Sequence, residues 1–316
     1  MNICILFLIH SVNALSLYDA VAGPIIENTL KLRYKTSGPQ IREEICEEKD
    51  KCYLIYDMLG YIGYEVFGVD LNFSLGYSAV LLKTPQDYNE NFYDVSTWMP
   101  HKERMSFDPY PFAICDAFFW SGAIPRKANE RMYDITIIGL GGGDFSNYYD
   151  SHYPHLNITV VELSPTVAYV ARKWFNVTES DRYRVKVQEG VSYLEGLRND
   201  GKQMDGVLLD ATYNSMNARY VSPVEDFLKY SSLKLLSQVI KRNGVLVSNV
   251  VVGKKSSNSK KALLEIVELF QKFFAYVELA EMSSFNSVLI ARHEPFLHKR
   301  KADLYPKVIP FHYIHI

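Results

Sequence analysis

Three glycines at alternate positions follow a short apolar run, and a second apolar run ends in a carboxylate. Residues 134–138 lead into Gly139, Gly141 and Gly143, and residues 158–161 lead into Glu162. Because glycine has no Cβ, the backbone can turn tightly there and approach a ligand closely. A carboxylate at the end of the following strand can accept two hydrogen bonds from a ribose diol. The pattern predicts a strand–helix–strand unit with a nucleotide-type site at its carboxyl edge.

The spacing of these glycines narrows the type of nucleotide. A dinucleotide fingerprint, G-x-G-x-x-G/A, would need a small residue at position 144, which is Asp144. The run reads G-x-G-x-G instead and resembles the first motif of Rossmann-like S-adenosylmethionine enzymes. A helix predicted around residues 144–152 would direct its first N–H groups at the turn. Since many α/β loops are rich in glycine, the prediction depends on the elements around the turn.

Those elements alternate between apolar strands and amphipathic helices. Strands are predicted at residues 134–138, 158–161, 184–187, 206–209 and 245–251, and helices at 165–175, 191–197, 224–240 and 261–274. Ser164 and Pro165 are a typical N-cap and first helical residue. The alternation implies a parallel sheet with helices on both faces. Two last strands, 276–279 and 287–290, should pair as a hairpin, which leaves the last one antiparallel. The predicted fold class is α/β, with a Rossmann-like seven-stranded sheet.

The chain before this sheet has a different pattern. Short β-type runs at residues 53–56, 63–69 and 78–82, interrupted by glycines, predict a small antiparallel sheet. Helices are predicted at 20–32 and at 113–123, and the second of them is apolar. We therefore expect four regions: a signal peptide over 1–14, a β-rich region with its connecting helix over 15–128, the Rossmann-like domain over 129–295 and a tail over 296–316.

Composition excludes several classes of protein. The 316 residues carry a net charge of −2 and are 48% apolar, which is enough for a sizeable core. Without a long Lys/Arg block, no nucleic-acid partner is predicted. No apolar run approaches the roughly 20 residues of a membrane span. The cysteine spacing matches no zinc pattern, so no metal site is predicted.

The N-terminus and the cysteines bear on the compartment. An apolar run at residues 3–9, followed by small residues at 12–14, predicts a secretory signal peptide, and with it secretion or residence in the endoplasmic reticulum lumen. No Lys or Arg precedes the run and His10 interrupts it, so a buried strand in a cytoplasmic chain stays open. Cys46 and Cys52 bracket a short charged loop, which suits a disulfide in a secreted chain and suits two unpaired thiols equally well.

Several further segments carry a family resemblance. They are residues 161–165 (Val-Glu-Leu-Ser-Pro), 171–175 (Ala-Arg-Lys-Trp-Phe), 181–187 and 189–194. With the Gly-Leu-Gly-Gly-Gly turn, they resemble the spermidine-synthase-like branch of the class I S-adenosylmethionine-dependent methyltransferases. The sequence is similar in particular to the C-terminal domain of the elongation-factor-1-alpha lysine and N-terminal methyltransferases. The resemblance covers about residues 130–293 and implies S-adenosylmethionine as cofactor and a protein or small molecule as methyl acceptor.

Two departures from the spermidine synthases concern negative charge. Those enzymes usually carry Asp where this chain has Gly142, and a second Asp after the fourth strand where it has Tyr213. Both acids would face a cationic polyamine, so their absence disfavours aminopropyl transfer. Asp144 lies two positions beyond the first of these places and is still within reach of the site.

The resemblance assigns roles to individual residues. Gly139, Gly141 and Gly143 would pass close to the methionine portion of the cofactor, and Glu162 would bind its ribose. Glu189, followed by Gly190, would accept a hydrogen bond from the adenine, and Asp210 would act as catalytic base or orient the acceptor. Asp210 could equally be an acid that caps the segment after it.

Three functions therefore stay open from the sequence. They are an S-adenosylmethionine-dependent methyltransferase, an aminopropyltransferase, and a non-catalytic secreted protein that retains the fold. The sequence identifies neither the acceptor nor the oligomeric state, and a homodimer is one of the open states.

Overall fold

The computed structural model describes residues 41–48, 51–58, 63–70, 73–83, 98–105, 109–282 and 286–296. The predicted signal peptide, the helix at 20–32 and the tail beyond residue 296 lie outside these residues. Within them, no helix is both long enough and apolar enough to cross a bilayer.

The first part of the described chain is a four-stranded antiparallel sheet. Its strands follow in chain order: β1 (Ile41–Glu48), β2 (Lys51–Met58), β3 (Gly63–Asp70) and β4 (Phe73–Leu81). The predicted small sheet is therefore present, with one strand, β1, that was not predicted. Cys46 of β1 lies opposite Cys52 of β2, and the two are joined as a disulfide. Of the two alternatives left open by the sequence, the structure has the paired one.

A helix and a second sheet follow. The helices are α1 (Pro109–Trp120), α2 (Asp144–His152), α3 (Pro165–Trp174), α4 (Gly190–Asn199), α5 (Glu225–Leu228), α6 (Tyr230–Val239) and α7 (Ser259–Gln271). The strands are β5 (Tyr133–Ile138), β6 (Leu156–Glu162), β7 (Tyr183–Val187), β8 (Met204–Leu209), β9 (Tyr220–Ser222), β10 (Ile240–Val252), β11 (Tyr276–Glu281) and β12 (Asn286–Arg292).

The second sheet has the order β11-β12-β10-β8-β5-β6-β7, with the short β9 paired to β10. Neighbours from β10 through β8, β5 and β6 to β7 run parallel. Strand β12 is antiparallel to both β10 and β11. The predicted Rossmann-like sheet and its terminal hairpin with a reversed last strand are thus confirmed. The short β9, which was not predicted, is also antiparallel to β10.

The helix predicted over residues 224–240 is wrong in its extent. At Lys229 the backbone is extended (φ −65°, ψ 144°), which separates α5 from α6. The second helix ends at Val239, and the strand begins directly at Ile240, whose partner is Met204. Asn243 and Gly244 therefore lie inside an irregular part of β10 rather than at a helix end.

Alternating side chains of the strands fill the two faces of this sheet. Ile137 and Leu208 point into the cluster that contains Phe118 of α1. Ile138 and Leu209, one residue further on, belong to the opposite cluster, which α4, α6 and α7 cover. This switch of face at each residue is the normal geometry of a strand, and it explains the nearly continuous apolar runs in the sequence.

The first sheet packs against α3 rather than standing alone. Tyr53 and Ile55 of β2 and Val80 of β4 share a buried cluster with Val167 and Val170 of α3. The first sheet therefore lies next to the end of β6 and to the short turn that leads from β6 into α3.

Candidate functional site

The carboxyl ends of β5, β6, β7 and β8 meet at one edge of the second sheet, the carboxyl edge. All the residues singled out from the sequence lie there. Gly139, Gly141 and Gly143 follow β5, and Glu162 is the last residue of β6. Glu189 and Gly190 follow β7, and Asp210 follows β8.

The glycine-rich turn (residues 139–143) has the geometry for which glycine is needed. Gly139, Gly141 and Gly143 have φ values of +102°, +52° and +85°, in the left-handed region that L-residues with side chains rarely adopt. A Cβ on Gly139 would lie 2.6 Å from the backbone oxygen of Asp210. The absence of side chains thus lets the ends of β5 and β8 touch.

Glu162 is buried and held by the main chain. Its two carboxylate oxygens accept hydrogen bonds from the N–H of Leu140, at 2.9 Å, and from that of Ser164, at 2.8 Å. Burial raises the pKa of Glu162, and the N–H groups of Ser164 and Leu140 oppose that shift. Since each carboxylate oxygen has two lone pairs, both oxygens keep the capacity for a second donor such as a ribose hydroxyl.

Glu189 is exposed and serves as the N-cap of α4. Its two oxygens accept from the N–H groups of Val191, at 2.8 Å, and Ser192, at 2.7 Å. Burial would raise the pKa of Glu189, but these hydrogen bonds outweigh it and lower the pKa. Gly190 is closely packed, since a Cβ there would lie 2.7 Å from the Phe227 ring. Glu189 thus has a structural role as an N-cap, which the sequence did not predict, and a role toward adenine stays a prediction.

Asp210 lies at the end of β8 and is only partly exposed. One of its oxygens, Oδ1, accepts from the buried Asn249 amide at 2.9 Å. The Asn286 amide in turn donates to Asn249 Oδ1 at 3.1 Å, which fixes the orientation of the Asn249 side chain. Burial raises the pKa of Asp210 to about 7, and the Asn249 bond opposes this shift. A carboxyl group with such a value can exchange a proton near neutral pH.

Asp144 is the site residue whose importance the sequence understated. It is the first residue of α2, directly after Gly143. Burial, and after it the negative charge of Asp210, raise the pKa of Asp144 to about 7. The sequence signal was the position of Asp144 beside the turn, but burial and proximity to Asp210 are not visible in a sequence.

Tyr213, by contrast, has a structural partner. Its hydroxyl accepts from the N–H of Glu225, the first residue of α5, at 3.3 Å, and its own N–H donates to Val221. The place where the resemblance leads us to expect a second acid therefore has a side chain without a charge.

The first sheet contributes contacts to this edge that the sequence did not predict. Ser78 Oγ of β4 accepts from the N–H of Gly142 at 2.7 Å. Glu47 of β1 accepts from the hydroxyl of Ser164, the residue that caps α3. Leu163, between Glu162 and Ser164, is 70% exposed, so an apolar surface lies open beside the buried carboxylate.

A metal is not suggested at this edge. Within the described residues, three potential metal ligands come together only at Glu44, Cys46 and Cys52 of the first sheet. The two sulfurs there are bonded to each other.

No known family model matches this chain. Its sequence is 27% identical over 152 residues to an eEF1A lysine and N-terminal methyltransferase homolog of Drosophila melanogaster, a stretch that covers 48% of this chain and 22% of that protein. It is 28% identical over 148 residues to a polyamine aminopropyltransferase of Vibrio vulnificus, which covers 47% of each chain. The chain thus matches less than a quarter of the eEF1A relative and about half of the bacterial one.

A probable spermidine synthase of Corynebacterium glutamicum has a similar structure. The TM-score is 0.61, with 14% identity, and the match covers 87% of this chain and 90% of that one. At this identity the likeness concerns the fold. Together with the sequence relatives, it agrees with the predicted resemblance to spermidine-synthase-like class I methyltransferases.

Proposed function

We propose that this protein is an S-adenosylmethionine-dependent methyltransferase of the spermidine-synthase-like kind, acting on a protein or a small molecule. The observation that carries the proposal is the carboxyl edge itself. The glycine-rich turn brings β5 into contact with Asp210, and main-chain N–H groups hold Glu162 at the next strand end. The methyltransferase relatives supply independent support from sequence.

The residues at this edge fit such a cofactor. Glu162 would accept from the ribose hydroxyls with its remaining lone pairs, and the exposed Leu163 would gain apolar burial under the adenine. Glu189 would accept from the adenine amino group without giving up its cap. S-adenosylmethionine, when bound, supplies a methyl group on a sulfonium sulfur. The protein's part is to align the acceptor with that group, exclude water and take a proton at Asp210.

Thermal unfolding of the full chain tests the proposal. A ligand that binds only the folded state stabilises it by about 2.7 kcal/mol at 100 times its Kd. We expect S-adenosylmethionine and S-adenosylhomocysteine to raise the Tm, and Glu162→Gln to remove most of the rise. Glutamine keeps one oxygen for the Leu140 or Ser164 N–H, whereas alanine would leave both donors unpaired. Glu195→Gln, an exposed change on α4, should behave as the wild type.

A rise only with decarboxylated S-adenosylmethionine would support aminopropyl transfer instead. This second candidate is favoured by the aminopropyltransferase relative and by the two acids Asp144 and Asp210, which carry negative charge at the site despite Tyr213. The absence of a rise with every ligand, from protein with a cooperative transition, would reject both and leave the non-catalytic function.

We also propose an oxidising compartment, secretion or the endoplasmic reticulum lumen, as the predicted signal peptide implies. The disulfide between Cys46 and Cys52 supports it, because such bonds are rare in the cytosol.

A further inference from the structure

The hairpin of β1 and β2 contains an irregularity where it meets the carboxyl edge. Cys46 of β1 lies opposite Cys52 of β2. The next pair is Glu48 opposite Lys51, so Glu47 has no residue opposite it and is the extra residue of a β-bulge. A bulge changes the direction of a side chain, and bulges are common beside functional sites.

The side chain of Glu47 connects this bulge to the carboxylate proposed to bind the ribose. Its Oε1 accepts from the Ser164 hydroxyl, and its Oε2 forms an ion pair with Lys51. Ser164 Oγ also accepts from the N–H of Val167 at 3.0 Å, as the N-cap of α3. The N–H of Ser164 donates to Glu162 at 2.8 Å. Ser164 is therefore held by Glu47 and in turn holds Glu162.

Electrostatics place Glu47 and Glu162 close to each other. Burial is the largest cause of the raised pKa of Glu162, and the negative charge of Glu47 adds to the rise. Tyr53 of β2 lies at the same contact, since its pKa, raised mainly by burial, is also affected by the charge of Glu47 and by a hydrogen bond with Ser164. The hairpin thus acts on the environment of Glu162.

The disulfide lies on the other face of the same hairpin. Ile45 packs against the buried cluster that the first sheet shares with α3, and Glu47 contacts Ser164, so both side chains face α3. Glu44 and Cys46 alternate with them along the strand and are exposed. The disulfide is therefore accessible to a reductant.

The hairpin has little other pairing near Glu47. Beyond the disulfide, Glu48 and Lys51 form the one paired position within the described residues. A short two-stranded end of this kind is marginally stable by itself. Because Glu47 lies between the disulfide and this last pair, the covalent bond limits how far Glu47 can move away from Ser164.

We propose that Glu47 is a positioning residue for the cofactor site and that the disulfide between Cys46 and Cys52 keeps it in place, so that reduction weakens cofactor binding. This rests on the proposed function, in which Glu162 binds the ribose. In the reduction, each sulfur takes one electron and one proton from a dithiol, whose own two sulfurs join as a disulfide. The two thiols can then separate, and the Ser164 hydroxyl loses the acceptor that fixes it. An oxidising compartment keeps the site in its binding form.

Calorimetry of S-adenosylhomocysteine binding to the full chain tests the role of Glu47. We expect Glu47→Ala to weaken binding about fivefold, which corresponds to the loss of one hydrogen bond. Glu47→Gln keeps an oxygen for the Ser164 hydroxyl, so its affinity should stay within about twofold of the wild type. Glu44→Ala, on the exposed face of the same strand, is the matched control and should bind as the wild type.

Reduction should have the same effect as Glu47→Ala. With a dithiol in excess, the wild type should bind about fivefold more weakly, and reduction of Glu47→Ala should add little, because both changes act through one contact. The double variant Cys46→Ser, Cys52→Ser should bind weakly with or without the dithiol. It controls for other thiols such as Cys115, which is buried.

A further measurement needs no ligand. In ¹³C NMR spectra of carboxyl-labelled protein, Glu47→Gln should lower the pH at which Glu162 titrates, because a negative neighbour is removed, and Glu44→Gln should not. If S-adenosylhomocysteine does not bind the oxidised wild type, the proposed function fails, and this titration still decides whether Glu47 acts on Glu162.

Three results would overturn the positioning role. The first is an unchanged affinity in Glu47→Ala together with a lower Tm, as expected for a purely structural residue. The second is an equal affinity of the oxidised and reduced wild type. The third is an unshifted titration of Glu162 in Glu47→Gln.

Discussion

The carboxyl edge has two pairs of carboxylates, and the two pairs differ in the hydrogen-bond donors that hold them. At the β6–β7 end, Glu162 and Glu189 each accept two hydrogen bonds from main-chain N–H groups. At the β5–β8 end, Asp210 has a single side-chain donor, and no hydrogen bond to Asp144 is found within the described residues. Main-chain donors are the usual way to keep a carboxylate ionised and in place. Main-chain donors therefore compensate the negative charges at the β6–β7 end, whereas the charges at the β5–β8 end are not compensated in this way within the described residues.

This difference separates a binding region from a reactive one. Protonation equilibria near neutral pH cluster at functional sites, because the environment needed for them is unfavourable for stability. The β5–β8 end has that environment, since burial raises the pKa of both Asp144 and Asp210 to about 7. The β6–β7 end has it less, since main-chain hydrogen bonds lower the pKa of Glu189 and oppose the rise that burial causes in the pKa of Glu162. Four changes would test this contrast.

The largest effect is expected from Gly139→Ala, which disturbs the contact between β5 and β8. The new Cβ would lie 2.6 Å from the Asp210 oxygen, at a φ of +102°. Strain of this kind costs of order 1–3 kcal/mol, and the displaced Asp210 backbone adds to it. We expect the free energy of unfolding in urea to fall by about 3 kcal/mol. The matched control is Gly196→Ala within α4, where a Cβ meets open space, and it should stabilise by about 0.5–1 kcal/mol. A loss below about 0.5 kcal/mol for Gly139→Ala would contradict the tight contact.

An intermediate effect is expected from Asp144→Asn, and it should be a gain in stability. The pKa of Asp144 is raised from 3.8 to about 7 on folding, so the folded state binds more protons between these values. The free energy of unfolding therefore decreases as pH rises from about 4 to about 7. Asparagine removes this penalty, and the Tm should rise by several degrees at pH 8 and by less at pH 5. Differential scanning calorimetry at the two pH values measures it.

Glu189→Gln, at the β6–β7 end of the edge, should lower the stability of the protein, whereas Asp144→Asn should raise it. Because the pKa of Glu189 is lowered on folding, its ionised side chain stabilises the protein at pH values above its ordinary pKa of 4.5. This stabilisation is lost as the pH falls through the pKa of the folded state. The variant should lose about 0.5–2 kcal/mol at pH 8, the usual range for an N-cap. If Asp144→Asn and Glu189→Gln changed the free energy of unfolding in the same direction, the contrast between the two ends would be wrong.

The sequence predicted where the site residues lie better than it predicted their environment. The glycines, Glu162 and Asp210 follow apolar strands, and parallel strands bring their carboxyl ends together, so their shared location follows from pattern alone. The environment of Asp144 does not, because desolvation depends on what packs around a residue. The same limit applies to the fold. Strand β1 (Ile41–Glu48) is rich in charged residues and shows no clear apolar alternation, and the break at Lys229 interrupts a sequence with continuous helical periodicity.

The smallest effect is expected from Ser78→Ala, which concerns the first sheet's contact with the glycine-rich turn. Ser78 Oγ accepts from the Gly142 N–H at 2.7 Å, and its removal leaves that N–H without this partner. We expect a loss of about 1 kcal/mol in the free energy of unfolding, the usual value for one hydrogen bond. Ser231→Ala, at an exposed position on α6, is the control.

Ligand binding to Ser78→Ala then distinguishes the two ends. The turn carries the Leu140 N–H that holds Glu162, so a loosened turn should weaken S-adenosylhomocysteine about threefold. Asp210 is fixed by the β5–β8 contact and by Asn249, neither of which involves Ser78, so the pH at which Asp210 titrates in ¹³C NMR spectra of carboxyl-labelled protein should not change. If this titration shifts as well, the turn couples the two ends, and the edge would have to be treated as one site.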